Sequence, residues 1–330
     1  MTTSSEAAVS APRPPLKVPD FFIVGHAKSG TTALYEMLRP HPQIYMSEVK
    51  EPWYFCTDMR PRFHPWRTGV APQTLEEYLS LFQDAEPGQR IGEASSSYLW
   101  SRTAARGIAE VQPSAKIIAI LREPASFLRS LHLQLLQNHV EVKRDLRTAM
   151  SLEDARRQGR RIPRRSHRPQ MLHYSDHVRY VEQLRRYHEL FPREQVLVLV
   201  YDDFRRDNEA FLRTVLRFLE VDETWPIQVL DTNPSVAVRS QQLDDLVHAV
   251  SVGRGPVTLA AKRAIKALAP REARRRLLEF TRQRIVHGAP PPPDERFLLE
   301  LRRRFKPEVQ ALSEYLDRDL VSLWGYDRLD

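Results

Sequence analysis

The chain has 330 residues, 42% of them hydrophobic and 28% charged. That is enough for one large α/β domain or two small ones with a sizeable core, and it excludes a wholly disordered chain. Lysine and arginine outnumber aspartate and glutamate by 50 to 42, a formal net charge of +8, which favours anionic partners: a phosphorylated or sulfated small molecule, nucleic acid or an acidic membrane surface.

Residues 1–19 lack a basic segment followed by an apolar one, so they read as a flexible tail rather than a secretory signal. "FFIVG" (Phe21–Gly25) is a short apolar run closed by glycine, suited to a buried parallel strand. From Gly30 to Leu38 the pattern turns helical, with Leu34, Met37 and Leu38 on one face. "QIYM" (43–46) and "RIGEASSSYL" (90–99) predict two further strands, and "KIIAILR" (116–122) a central one, which Pro124 ends in a turn or helix start. Residues 156–168, "RRQGRRIPRRSHR", are too charged for a core and predict a solvated face or lid. "QVLVLVYDDF" (195–204) predicts another strand, followed by a helix with Phe211, Leu212, Val215, Leu216 and Leu219 in register. Residues 254–293 hold a basic helical stretch ending in four prolines, and a last helix carries Phe305, Val309, Leu312 and Leu316 on one face.

Strands alternating with amphipathic helices predict an α/β fold with a central, mainly parallel sheet flanked by helices. No internal repeat or domain boundary is visible, so residues 20–330 read as one domain, with basic cap segments at about 151–170 and 254–293. The one cysteine, Cys56, excludes an internal disulfide and fits a reducing compartment. No run approaches the ~18 apolar residues of a spanning helix. The expectation is a soluble, cytoplasmic protein.

The stretch "GHAKSGTTAL" (25–34) departs from a Walker A loop, which places its lysine after the second glycine. Here Lys28 precedes Gly30, and Thr31 and Thr32 follow it. The glycines allow close backbone approach, and a helix N-terminus adds partial positive charge. Ser29, Thr31 and Thr32 add hydroxyls, and Lys28 a mobile cation. All of this suits a phosphate.

"FFIVGHAKSGTTAL" resembles the 5′-phosphosulfate loop of sulfotransferases that use 3′-phosphoadenosine 5′-phosphosulfate (PAPS). The resemblance implies a P-loop-like three-layer fold. It implies a donor phosphate held by His26, Ala27, Lys28, Ser29, Gly30, Thr31 and Thr32, with Lys28 on the oxygen that bridges phosphorus and sulfur. "LREPASFLRS" (121–130) resembles the family's 3′-phosphate site, which implies that role for Arg122 and Ser130. "KEPWYF" (50–55) resembles the K-E-x-x-x-F stretch of heparan-type carbohydrate sulfotransferases, which implies Glu51 as the base for the acceptor hydroxyl. "GEASSSYL" (92–99) is similar to the strand that follows it, with Ser95, Ser96 and Tyr98 as candidates to line the acceptor cleft. "VLVLVYDDF" resembles the strand whose tyrosine lies near adenine, here Tyr201. The family's late basic loop falls within 282–287 or near Arg239 and Ser240.

The implied reaction moves a sulfuryl group to a hydroxyl of a carbohydrate, a glycolipid or another small acceptor and calls for no metal. His132 and His139 are alternative bases. A P-loop kinase or NTPase is the rival reading, with "VLVLVYDD" as its Walker B strand. The basic composition also admits a nucleic-acid binder, but the arginine runs lack interleaved aromatics, so no nucleic-acid partner is expected. Residues 261–285 could lie on an anionic membrane as a basic amphipathic helix. Acceptor identity and oligomeric state are not legible.

Overall fold

Five strands, all paired in parallel, form the centre of the molecule in the order β2-β3-β1-β4-β5. They are β1 (Phe21–Gly25), β2 (Ile44–Met46), β3 (Arg90–Ala94), β4 (Lys116–Leu121) and β5 (Val196–Val200). The computed structural model describes residues 16–59, 72–164, 166, 168–227, 237–238, 287–288 and 291–329.

The strands read as apolar runs because both faces are covered. Side chains alternate across the sheet: Phe22, Val24, Ile117, Ala119 and Leu121 enter one core cluster, and Phe21, Ile23, Ile118 and Ile120 the other. On the second face lie α1 (Thr31–Leu38) and, after a short α8 (Tyr201–Arg206), α9 (Asn208–Leu219). On the first lie α2 (Leu75–Leu79), α3 (Ala104–Val111), α4 (Pro124–Gln137), α7 (Tyr180–His188) and the long α10 (Glu295–Tyr315). Two short helices, α5 (Leu146–Ser151) and α6 (Glu153–Arg157), connect α4 to α7, and α11 (Leu320–Leu323) follows α10. Helices on both faces of a parallel sheet make the three-layer, P-loop-like α/β fold expected from the sequence. A two-residue antiparallel pair, β6 (Ala237–Val238) with β7 (His287–Gly288), lies outside the main sheet. Among the described residues, no helix is long and apolar enough to cross a membrane.

Three expectations change. Residues 95–99 leave the sheet and fold back over β1, where the Leu99 amide donates to the Val24 carbonyl at 2.7 Å. Residues 201–204 begin α8 instead of extending β5, with Asp202 and Asp203 in its first turn, where acids are stabilised by the positive end of the helix dipole. Arg156, assigned to a solvated segment, is fully buried and pairs with buried Glu141 at 2.7 Å.

The chain leaves β1 toward β3 and β2, then crosses β1 to form β4. The carboxyl ends of β3, β1 and β4 therefore border the crevice where open α/β sheets bind ligands.

Candidate active site

The loop after β1 begins at Gly25, where nothing larger fits: a Cβ there would lie 2.8 Å from Leu99 Cβ and 2.9 Å from the Ser96 carbonyl. Lys28 adopts φ 64°, the left-handed region that costs a non-glycine residue about 1–2 kcal/mol. Gly30, at φ 91°, packs its α-carbon toward the Tyr201 ring and precedes α1 without any side-chain cap. The first-turn amides of α1, Thr31 and Thr32 among them, are thus left for a ligand. Ser29 is fully buried, and its Oγ has no partner among the described residues. Thr32 is exposed at the start of α1, while Thr31 is buried.

His26 takes a different part. Its amide donates to the Ile120 carbonyl at 2.8 Å, and its buried ring lies 2.7 Å from Gln183 of α7 and against Phe127 of α4. Burial pushes its pKa down to about 4, so the ring is neutral. His26 therefore braces the loop from behind.

Arg122 directly follows β4 and ties the two predicted halves together. Its Nη1 donates to the Lys28 carbonyl at 2.9 Å and its Nε to Ser126 Oγ at 3.2 Å. The guanidinium lies over the Tyr201 ring, 4.8 Å from the centroid, and the Tyr180 hydroxyl donates to the Arg122 carbonyl at 2.8 Å. Lys28, Gly30, Arg122 and Tyr201 therefore form one contiguous surface. Burial lowers the proton affinity of Lys28, and the nearby charge of Arg122 lowers it further. Burial likewise lowers that of Arg122. Two crowded, partly desolvated cations prepare the surface for an anion.

Helix α4 starts next to this surface. Buried Glu123 caps it by accepting from the Ala125 and Ser126 amides at 3.0 and 2.7 Å, with Pro124 at the first helical position. The cap is itself held by the Tyr326 hydroxyl at 2.6 Å. Ser126, which sequence reading did not single out, reaches Arg122 directly, one turn before Ser130 on the same face of α4. Four-residue spacing from Arg122 was the available signal. Ser130 is buried.

On the other side of the loop, residues 50–55 form a tight turn at the end of β3. The Glu51 amide donates to the Ala94 carbonyl at 3.0 Å. Glu51 and Trp53 both adopt left-handed backbone, φ 59° and 55°. The Glu51 carboxylate accepts from Trp53 Nε1 at 2.6 Å, the Ser96 amide at 3.0 Å, Ser96 Oγ at 2.7 Å and Lys50 Nζ at 3.3 Å. The Arg168 guanidinium lies over the Trp53 ring at 3.9 Å, so the arginine-rich segment reaches this turn. Ser96 is also the residue whose carbonyl abuts Gly25. The base candidate and the Lys28 loop are thus mounted at the ends of adjacent strands and joined through Ser96.

His132 does not enter the site. Its ring is committed to the Tyr174 hydroxyl at 2.9 Å and the Arg144 carbonyl at 3.0 Å, within the buried Glu141–Arg156 network. His139 is buried as well. Arg239, Ser240 and residues 282–286 lie outside the described residues, as does most of the basic stretch 254–293.

A family model described as "Sulfotransferase domain" matches residues 18–251. Carbohydrate sulfotransferase 15 of Mus musculus is 32% identical over a match that covers 35% of this chain and 27% of that protein. Heparan sulfate glucosamine 3-O-sulfotransferase 6 of Mus musculus is 34% identical, covering 36% of this chain and 31% of that protein. The chain thus spans under a third of the length of these two curated relatives. The crystal structure of a sulfotransferase from Alicyclobacillus acidocaldarius superposes with a TM-score of 0.64 at 25% identity, covering 93% of this chain and 98% of the other. With most of its sequence matched, its parallel sheet in place and an anion-ready loop at the centre of that sheet, the chain belongs to the sulfotransferase domain family.

Proposed function

We propose that the protein transfers the sulfuryl group of PAPS to a hydroxyl of a sugar, a glycolipid or another small acceptor. The observation that carries this reading is the hydrogen bond from Arg122 to the Lys28 carbonyl, which joins both predicted anion-binding elements into one surface. The uncapped start of α1, the orphaned Ser29 hydroxyl and the two crowded cations fit a ligand with phosphate at both ends. The curated relatives act on carbohydrate, which favours a sugar hydroxyl.

Bound PAPS would supply the sulfuryl group and the phosphate leaving group. Glu51 accepts the proton of the acceptor hydroxyl as its oxygen bonds to sulfur, a contribution of ~10²–10⁴-fold when such a base is well placed. Lys28 offsets the charge that grows on the phosphate side as the old sulfur–oxygen bond breaks. Arg122, Ser126 and Ser130 hold the 3′-phosphate, and Tyr201 offers a ring beside the adenine. The serines and Trp53 around Glu51 fix its direction.

The kinase reading asks Asp202 or Asp203 to serve a magnesium ion. Both are committed: Asp202 accepts from Trp324 Nε1 at 2.9 Å, and Asp203 pairs with Arg318 and Arg206, each at 2.8 Å. Calorimetry with 3′,5′-bisphosphoadenosine (PAP) in EDTA separates the readings. Tight binding without metal is expected. Binding of ATP with magnesium in preference to PAP would overturn the assignment. Incubation with labelled PAPS and a cell lysate, read by mass spectrometry for sulfate esters, then identifies the acceptor. We further propose that residues 261–285 contact anionic lipid. Equal co-sedimentation with neutral and anionic liposomes would reject that.

A further inference from the structure

Beneath the turn that presents Glu51 lies a carboxyl group that no step above uses. Glu93 stands on β3, opposite Phe22 of β1, and is fully buried. Its Oε2 accepts from the Tyr78 hydroxyl at 3.2 Å, while its buried Oε1 accepts no hydrogen bond among the described residues. The hydroxyls of Ser95 and Tyr98 also lie against it and favour its charged form. Both hydroxyls serve the active-site turn as well: Ser95 Oγ accepts the Trp53 amide at 3.1 Å, and the Tyr98 oxygen accepts the Phe55 amide at 3.4 Å. A hydroxyl has one proton to give and lone pairs to receive with. Beside a carboxylate, which only accepts, each can give its proton inward while its lone pairs take the amides of the turn.

We propose that Glu93 is a positioning residue for sulfuryl transfer, whose carboxylate orients the Ser95 and Tyr98 hydroxyls and so holds residues 53–55 in the shape that aims Glu51. The inference rests on Glu51 as the base. Left-handed backbone at Glu51 and Trp53 persists only where its surroundings restrain it, and these two hydroxyls hold the Trp53 and Phe55 amides of that turn. Among the described residues, the groups that face Glu93 are Tyr78 from α2, Tyr98 from the loop after β3, Glu51 and Cys56 from the turn region, and Tyr187 from α7. None of these carries a positive charge. Burial, the largest cause, and then the charge of Glu51 push the Glu93 pKa up to about 7 against the pull of the hydroxyls. On protonation the group gains a donor, the hydroxyls lose their fixed direction, and the turn loosens.

Trp53 reports on this, since its indole bonds to Glu51 and lies under Arg168. Intrinsic fluorescence is titrated from about pH 5 to about pH 9 in the wild type, Trp53→Phe, Glu93→Gln and Ser95→Ala, with PAP affinity measured in parallel. The wild type should show a transition near pH 7 that is missing in Trp53→Phe and Glu93→Gln, while Glu93→Gln binds PAP within about twofold of wild type. A wild type without the transition, or a Glu93→Gln trace that keeps it, overturns the proposal. So does loss of PAP binding in folded Glu93→Gln, the sign of a general structural role. If Glu93→Gln does not fold, Ser95→Ala decides in its place: a shifted or lost transition supports the proposal, and a wild-type trace overturns it. Labelled-PAPS turnover by Glu51→Gln tests the base separately, because retained turnover removes that assignment whatever the Trp53 trace shows.

Discussion

Single side chains divide the labour of the site, and their substitutions should separate cleanly. Glu51→Gln keeps the shape of the turn but removes the proposed proton acceptor, so sulfate transfer from labelled PAPS should fall by about 10²–10⁴-fold while PAP affinity holds. Arg122→Ala removes a charged donor and frees the Lys28 carbonyl. PAP binding by calorimetry should weaken by roughly tenfold to a hundredfold, the worth of a charge-assisted hydrogen bond. Gly25→Ala forces a methyl against Leu99 and the Ser96 carbonyl and should cost about 1–3 kcal/mol in urea denaturation. Lys28, Glu51 and Arg122 were legible because each sits in a short motif with its own chemistry. Ser126, Arg168 and Glu93 were not, since their importance comes from neighbours distant in the chain, as with Arg168 above Trp53. His26 was read as part of the phosphate loop, and its ring turns inward to Gln183 and Phe127, a direction the sequence does not show.

At the level of elements, the strands were the most readable feature, because burial on both faces leaves an unbroken apolar run. Their ends were not. "SSSYL" continues the composition of a strand, yet the Leu99 amide turns back to Val24 and closes the site. The start of α8 at Tyr201 had a signal in Asp202 and Asp203, which suit a helix's first turn better than a strand. Arg156 defeats the equation of charge with solvent, since its partner Glu141 is supplied by the segment after α4. The N-cap of α4 is where an element bears on function. Glu123→Ala removes the acceptor for the Ala125 and Ser126 amides and strands the Tyr326 hydroxyl. A loss of about 1–2 kcal/mol is expected from the cap in urea titration, with weaker PAP binding as Ser126 loses its register.

For the molecule as a whole, buried ionisable groups set the pH dependence of stability. His26 and His177 have folded pKa values lowered to about 4 and about 3, chiefly by burial, from 6.5. The unfolded chain therefore takes up protons that the folded one refuses, and stability should fall as pH drops from 6.5 toward 4. His177→Phe should flatten that limb in denaturant titrations at stepped pH. Glu93 acts in the opposite sense. Its folded pKa is raised from 4.5 to about 7, so the folded state holds the extra proton, and stability falls as pH climbs through that window and then levels off. Glu93→Gln should match wild type near pH 4.5 and exceed it by up to about 3 kcal/mol at pH 8. A residue that weakens the fold at working pH while bracing the site is consistent with a trade of stability for geometry.

The segment after α10 reaches both flanks of the anion-binding surface: Tyr326 to Glu123 below Arg122, and Trp324 and Arg318 to the acids beside Tyr201. In the proposed PAPS complex, grip on the ribose phosphate and on the base would thereby be leased from residues that touch neither. A chain cut after Leu316 should still fold its sheet and its Lys28 loop, yet let the nucleotide slip, with PAP affinity falling far more than affinity for inorganic sulfate. Fusions or tags joined at that end belong on a long spacer, because anything that pulls Trp324 or Tyr326 out of place loosens the donor's far side first.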